Sequence, residues 1–195
     1  MPRRIGLFGG TFDPPHNAHL ALARQALAEL RLDELRWIPA GQPYQKTRPI
    51  TPAVHREAMV RAAIAGEPRF VLERCELERS GPSYTIDTVR ELQAREPGQR
   101  WFLLVGQDQY AGLPSWRAWR ELLACVELAV ARRPGAPVPP VEQLRAAKAM
   151  AIALPPMDVS ATVIRARVAA GEPVDDLVPP GVASYIDRHH LYHPG

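Results

Sequence analysis

Only two cysteines occur in the 195 residues, Cys75 and Cys125. They cannot form a disulfide framework, and a reducing compartment is expected. No stretch approaches the roughly 18 consecutive apolar residues of a membrane span. The run after Arg3-Arg4 is too short for a secretory core, so a cytoplasmic location without membrane attachment is expected. Neither sign of charge dominates. The 24 Lys and Arg against 21 Asp and Glu leave a formal charge of +3. That balance argues against a nucleic-acid partner and is compatible with a small anionic ligand. Both common phosphate signatures are missing. The glycines at Gly6, Gly9 and Gly10 do not fit G-x-G-x-x-G, and no Lys follows as in the P-loop. There is no H-E-x-x-H and no zinc spacing of Cys and His.

What is present is concentrated near the start. Ile5-Gly6-Leu7-Phe8 is a short apolar run suited to a buried strand. Gly9-Gly10 reads as a turn that lets a ligand approach the main chain. Asp13 offers a carboxylate cap, and Pro14 or Pro15 suits a first helical turn. A helix starting after a glycine turn can receive phosphate. His16 and His19 are three apart and share one face of that helix.

Further along, helices are expected over 20–32, 52–65, 84–96, 115–124, 141–147, 160–170 and 179–190. Strands are expected over 35–39, 69–77, 101–105, 127–132 and 149–154, with caps from Ser83 or Thr85 and from Ser160. Alternating strands and helices imply right-handed crossovers. The expected fold is therefore α/β: a single Rossmann-like, doubly wound, mainly parallel sheet with a C-terminal helical segment, one domain over 1–195. In such sheets ligands gather beyond the carboxyl ends of the strands. That rule nominates the loops 9–13, 40–48, 106–116, 132–133 and 155–160.

The string Gly9-Gly10-Thr11-Phe12-Asp13-Pro14-x-His16-x-x-His19 resembles the H-x-G-H motif of the nucleotidyltransferases, and specifically bacterial nicotinate-nucleotide adenylyltransferases. Ala18 stands where that family usually has Gly. Ser160-Ala161-Thr162-Val163-Ile164-Arg165 is similar to its I-S-S-T-x-x-R motif, with Ala161 for the second Ser. The strings around Ser83-Tyr84-Thr85-x-Asp87-Thr88, Gly106-Gln107-Asp108 with Leu113 and Trp116, and Arg132-Arg133-Pro134-Gly135 are similar too, as is the tail to Tyr192.

The resemblance implies transfer of AMP from ATP to nicotinate mononucleotide, with release of pyrophosphate. It implies His16, His19, Lys46 and Arg165 around the triphosphate, and Gly9, Gly10, Thr11, Phe12, Gly106, Asp108, Arg133, Ser160 and Thr162 at ATP. Ser83, Tyr84, Thr85, Trp116 and Arg117 fall to the mononucleotide. Magnesium would be held mainly by phosphates and water. Trp116 is assigned to the ligand, Trp119 to the core. Pantetheine-phosphate adenylyltransferase, which shares the H-x-G-H motif, and a nucleotide-sensing module without turnover are the alternatives.

Overall fold

The computed structural model describes residues 1–43, 49–132, 144, 149–154 and 157–194. Lys46, Arg133 and most of the helix expected over 141–147 lie outside the described residues. Six parallel strands form one sheet in the order β3-β2-β1-β4-β5-β6. The strands are β1 (Arg4–Gly10), β2 (Glu34–Pro39), β3 (Phe70–Leu72), β4 (Arg100–Gly106), β5 (Glu127–Arg132) and β6 (Ala149–Ala153). The first crossover helices are α1 (Asn17–Glu29) and α2 (Ala53–Ile64); then come α3 (Cys75–Glu78), α4 (Thr85–Arg95), α5 (Gln107–Gly112) and α6 (Trp119–Cys125). The chain ends with α7 (Ala161–Ala169) and α8 (Pro180–Arg188).

The central strands are apolar on both faces because both faces are covered. Along β4, Trp101, Leu103 and Val105 enter one core with Ile86, Val89 and Leu92 of α4. The alternate residues Phe102 and Leu104 enter the other core, with Leu20, Ala23 and Leu27 of α1 and Val182 and Ile186 of α8. β5 alternates likewise, Leu128 and Val130 against Ala129 and Ala131. This is the two-residue side-chain period of a strand expressed as two layers.

Several expectations are corrected. Gly9-Gly10 is not a turn but the end of β1, and neither glycine has positive φ. The left-handed residue is Phe12, at φ 50°. Its ring packs on Phe8, His19 and Trp37 at 5.2 to 5.5 Å, which offsets that backbone cost. A Cβ on Gly10 would meet that ring at 2.9 Å. Asp13 does not cap α1, which begins later, with His16 at the N-cap position. The strand expected over 69–77 stops at Leu72, and the chain turns into α3. The helix expected from 115 begins at Trp119 after a 3₁₀ turn, Leu113–Ser115. α5 was not expected at all. The head of α4 has no side-chain cap; Ser83 Oγ instead accepts from the N–H groups of Gly41 and Gln42.

Candidate active site

The order of the strands reverses between β1 and β4, which leave on opposite sides of the sheet. A cavity of about 470 Å³ opens at the carboxyl ends of those two strands. That is the size of a small-molecule site. Gly9 and Gly10 of β1 and Val105 and Gly106 of β4 form its floor, with Thr11, Phe12 and Asp13 at one side. His16 and His19 line it from the head of α1, and Ala161, Thr162 and Arg165 from α7. Ser83, Thr85 and Trp116 line a further wall. Motifs some 150 positions apart in sequence therefore share one concave surface.

The imidazoles stack at 3.7 Å between centroids, 22° from parallel. His19 Nδ1 accepts from the backbone N–H of His16 at 3.2 Å. A neutral His19 that accepts at Nδ1 carries its proton on Nε2, so it presents a donor. This tautomer is assigned from the hydrogen-bond network. His16 Nδ1 is buried and has no hydrogen-bond partner among the described residues. Desolvation lowers the His16 ring to about 4. His19 is held well below the usual histidine range by desolvation and then by the neighbouring His16. Burial thus favours the neutral form of both rings in the unliganded cavity.

A stability consequence follows. A histidine whose folded pKa is depressed stabilises the fold above its unfolded value, near 6.5, and loses that contribution as pH falls toward 4. For His16 the loss is about 3 kcal/mol across that window. Urea unfolding of the parent and of His16→Gln at pH 7.5, 6, 5 and 4 measures it. The parent is expected to lose more stability on acidification than the variant; parallel profiles would contradict the burial of this ring.

Arg165 lines the same cavity as the histidines. Its Nη1 donates to the Asp13 carbonyl at 2.7 Å and its Nη2 to Thr162 Oγ1 at 3.3 Å. Ser160 caps α7 by accepting from the Val163 N–H, outside the cavity wall. The planar fork is aimed by two acceptors in different directions, which an ammonium cannot reproduce. Arg165→Lys is expected to weaken binding of inorganic triphosphate in this cavity about tenfold, read by equilibrium titration; full affinity in Arg165→Ala would leave this motif a structural cap only.

The remaining residues divide. Asp108 is exposed and outside the wall, whereas Gln109 lines it and accepts from the Gly106 N–H at 3.0 Å. Trp116 lines the wall; Trp119 packs on the α4-side core, with the Arg120 guanidinium 4.3 Å over its ring. Arg117 lies 4.7 Å over the Tyr84 ring and 3.7 Å from Asp87, and neither Tyr84 nor Arg117 lines the cavity.

Glu76 and Arg56 were not singled out from sequence, and Asp13 was read there only as a helix cap. Glu76 is buried in the wall and accepts from Thr88 Oγ1 at 2.7 Å. Desolvation raises its carboxyl, opposed by the Thr88 and Ser83 hydroxyls. Its carbonyl lies where a Cβ on Gly41 would stand, 2.0 Å away, so only glycine fits there. Asp13, 2% exposed, accepts at Oδ1 from Tyr192 at 2.8 Å and at Oδ2 from the Thr51 N–H at 3.4 Å. Arg56, also 2% exposed, sits behind the cavity. No sequence signal separates a buried arginine on α2 from a solvated one.

A doubly wound parallel sheet with paired imidazoles and an arginine at its switch point defines a phosphate-handling nucleotide protein. The comparisons with known proteins narrow that class. The Cytidylyltransferase-like family model matches residues 7–167. A probable nicotinate-nucleotide adenylyltransferase of Methylibium petroleiphilum is 58% identical, over 98% of this chain and 93% of its own length. A protein of Albidiferax ferrireducens with the same name is 49% identical, over 97% and 98%. The Plasmodium falciparum nicotinic acid mononucleotide adenylyltransferase complexed with NaAD shares the fold, with TM-score 0.79 and 20% identity over 97% of each chain. The chain belongs to the cytidylyltransferase-like family and, within it, to the nicotinate-nucleotide adenylyltransferases.

Proposed function

We propose that this enzyme transfers AMP from ATP to nicotinate mononucleotide, giving nicotinate adenine dinucleotide and pyrophosphate on the route to NAD. The observation that carries the reading is the meeting of His16, His19 and Arg165 in one cavity with Trp116 on another wall. One end offers donors to a triphosphate. The other offers a flat aromatic face and the uncapped head of α4 to a pyridine carboxylate.

The nucleophile is the phosphate oxygen of the mononucleotide, already an anion. It forms a bond to the α-phosphorus of ATP as the bond from that phosphorus to the bridging oxygen breaks, and that oxygen leaves on pyrophosphate. No protein nucleophile or general base is needed. The protein's work is alignment and stabilisation of the charge that builds on the leaving group. His19 and Arg165 supply donors on that side, and we assign Lys46 and Arg133 to the same phosphates. Gly9, Gly10, Thr11, Phe12, Gly106 and Thr162 of the cavity wall are assigned to ATP, and Ser83, Thr85 and Trp116 to the mononucleotide; Asp108 and Ser160, and Tyr84 and Arg117, lie outside that wall and are assigned to the rim of the same two subsites.

No group of three or more His, Cys, Asp or Glu among the described residues is placed to hold a metal. The donor set of the cavity fits an ion that arrives on the nucleotide, and we propose magnesium, which neutralises part of the triphosphate charge. No helix among the described residues is long and apolar enough to cross a membrane, and we place the reaction in the cytoplasm.

The test is pyrophosphate release from ATP, with nicotinate mononucleotide or phosphopantetheine as acceptor. Release is expected with the mononucleotide alone. Release only with phosphopantetheine, or ATP binding without release, overturns the reading.

A further inference from the structure

Arg56 lies outside every motif that marks the site, yet its guanidinium joins three segments that build it. Nη1 donates to the carbonyl of Thr11, in the turn after β1, at 3.0 Å. Nη2 donates to the carbonyl of Gly41, just past β2, at 3.3 Å. Nε donates to the carbonyl of Thr51, ahead of α2, at 2.9 Å. Thr11 lines the cavity, and the N–H of Gly41 is bound by Ser83 Oγ, which lines the opposite wall. Beyond the β1–β2 pairing and the Ala40 N–H to Gly10 carbonyl bond at 2.9 Å, where the ladder ends, Arg56 is the side chain that ties the Thr11 turn to Gly41 and to Thr51.

The neighbouring Asp13 extends the clamp. Tyr192 donates to its carboxylate from the C-terminal tail, and its carbonyl aims Arg165. From Arg56 to Arg165 the path runs through only three residues of backbone, Thr11 to Asp13. A rotation of the Thr11 turn would move both that side of the cavity and the arginine.

We propose that Arg56 is a positioning residue for the transfer step, holding the Thr11 turn and the end of β2 at the separation that lines up ATP with its acceptor, with Tyr192 securing the Asp13 side of the same clamp. This rests on the adenylyl-transfer reading. Three carbonyls in three directions suit a planar fork, and a lysine ammonium on its flexible stem cannot span them. Small misplacement of reacting groups lowers the rate more than it lowers binding.

The experiment is a single-turnover measurement at saturating ATP and nicotinate mononucleotide, with competent sites counted by equilibrium ATP titration. Arg56→Lys is expected to bind about one ATP per chain, with KM values within about threefold of the parent, and to transfer about tenfold more slowly per competent site. A residue needed only for folding gives fewer competent sites, each transferring at the parent rate, and that result overturns the proposal. If Arg56→Lys does not fold, Tyr192→Phe decides. It is expected to be about threefold slower per site, and an unchanged rate overturns the proposal. A parent enzyme that makes no pyrophosphate would instead refute the adenylyl-transfer reading, a distinguishable failure.

Discussion

His19→Ala is expected to slow adenylyl transfer by roughly 10²–10³, the scale of losing one donor aimed at charge that develops in the transition state. The geometry makes His19 the stronger donor of the pair. Its Nδ1 is occupied by the His16 N–H, which fixes the proton on Nε2. His16 has a buried Nδ1 with no partner among the described residues, and burial disfavours its cationic form in the unliganded cavity. ATP affinity should fall less than the rate, because the donor gains most when pyrophosphate begins to leave. The ring also packs edge-on to Phe8 and Phe12 at 5.8 and 5.2 Å, so loss of packing must be separated from loss of the donor. His19→Phe keeps an aromatic ring and removes the Nε2–H; it should be as slow as the alanine variant. A folded His19→Phe enzyme with near-parent turnover would take the imidazole out of the mechanism.

The sheet was largely legible in the sequence because burial on both faces writes continuous apolar runs. Ile5 to Phe8, Trp101 to Val105 and Glu127 to Arg132 all fall within strands. Short elements were less legible. Gln107–Gly112 is a helix of six residues, too few for a helical period to appear. Val71 and Leu72 look like the middle of a strand, but Arg74 and Cys75 open a helix. The site splits the same way. His16, His19, Thr162 and Arg165 sit in local strings whose chemistry can be read residue by residue, and they share one cavity. Asp13 reads locally as a helix cap because cap chemistry is local. Its actual partner, Tyr192, is 179 positions away. Glu76 falls inside the strand expected over 69–77 and Arg56 inside the helix expected over 52–65; nothing local marks either as buried, since only the tertiary fold removes them from water.

The enzyme is expected to prefer nicotinate mononucleotide over its amide by roughly 10²–10³ in kcat/KM. Sites that match hydrogen bonds can discriminate by as much as about 10⁴–10⁵, and the amide's freedom to turn its oxygen toward a donor reduces that here. The preference follows from the head of α4. No side chain caps it, and Thr85 at its first turn lines the cavity. Exposed N–H groups at a helix start favour a carboxylate and meet the amide NH₂ as donor against donor. Trp116 offers the same flat face to either ring, so Trp116→Ala should lose activity on both substrates and keep much of the ratio. Glu76 opposes the preference, since a second carboxylate in the same wall repels the acid. Its bonds to Thr88 and Ser83 can be kept by an amide. Glu76→Gln is therefore expected to widen the acid preference, mainly through a lower KM for the acid. Both mononucleotides at saturating ATP, in the parent and the two variants, provide the measurement. Equal kcat/KM on acid and amide in the parent would refute the helix-terminus argument, and a ratio lost only in Trp116→Ala would move the discrimination to the ring.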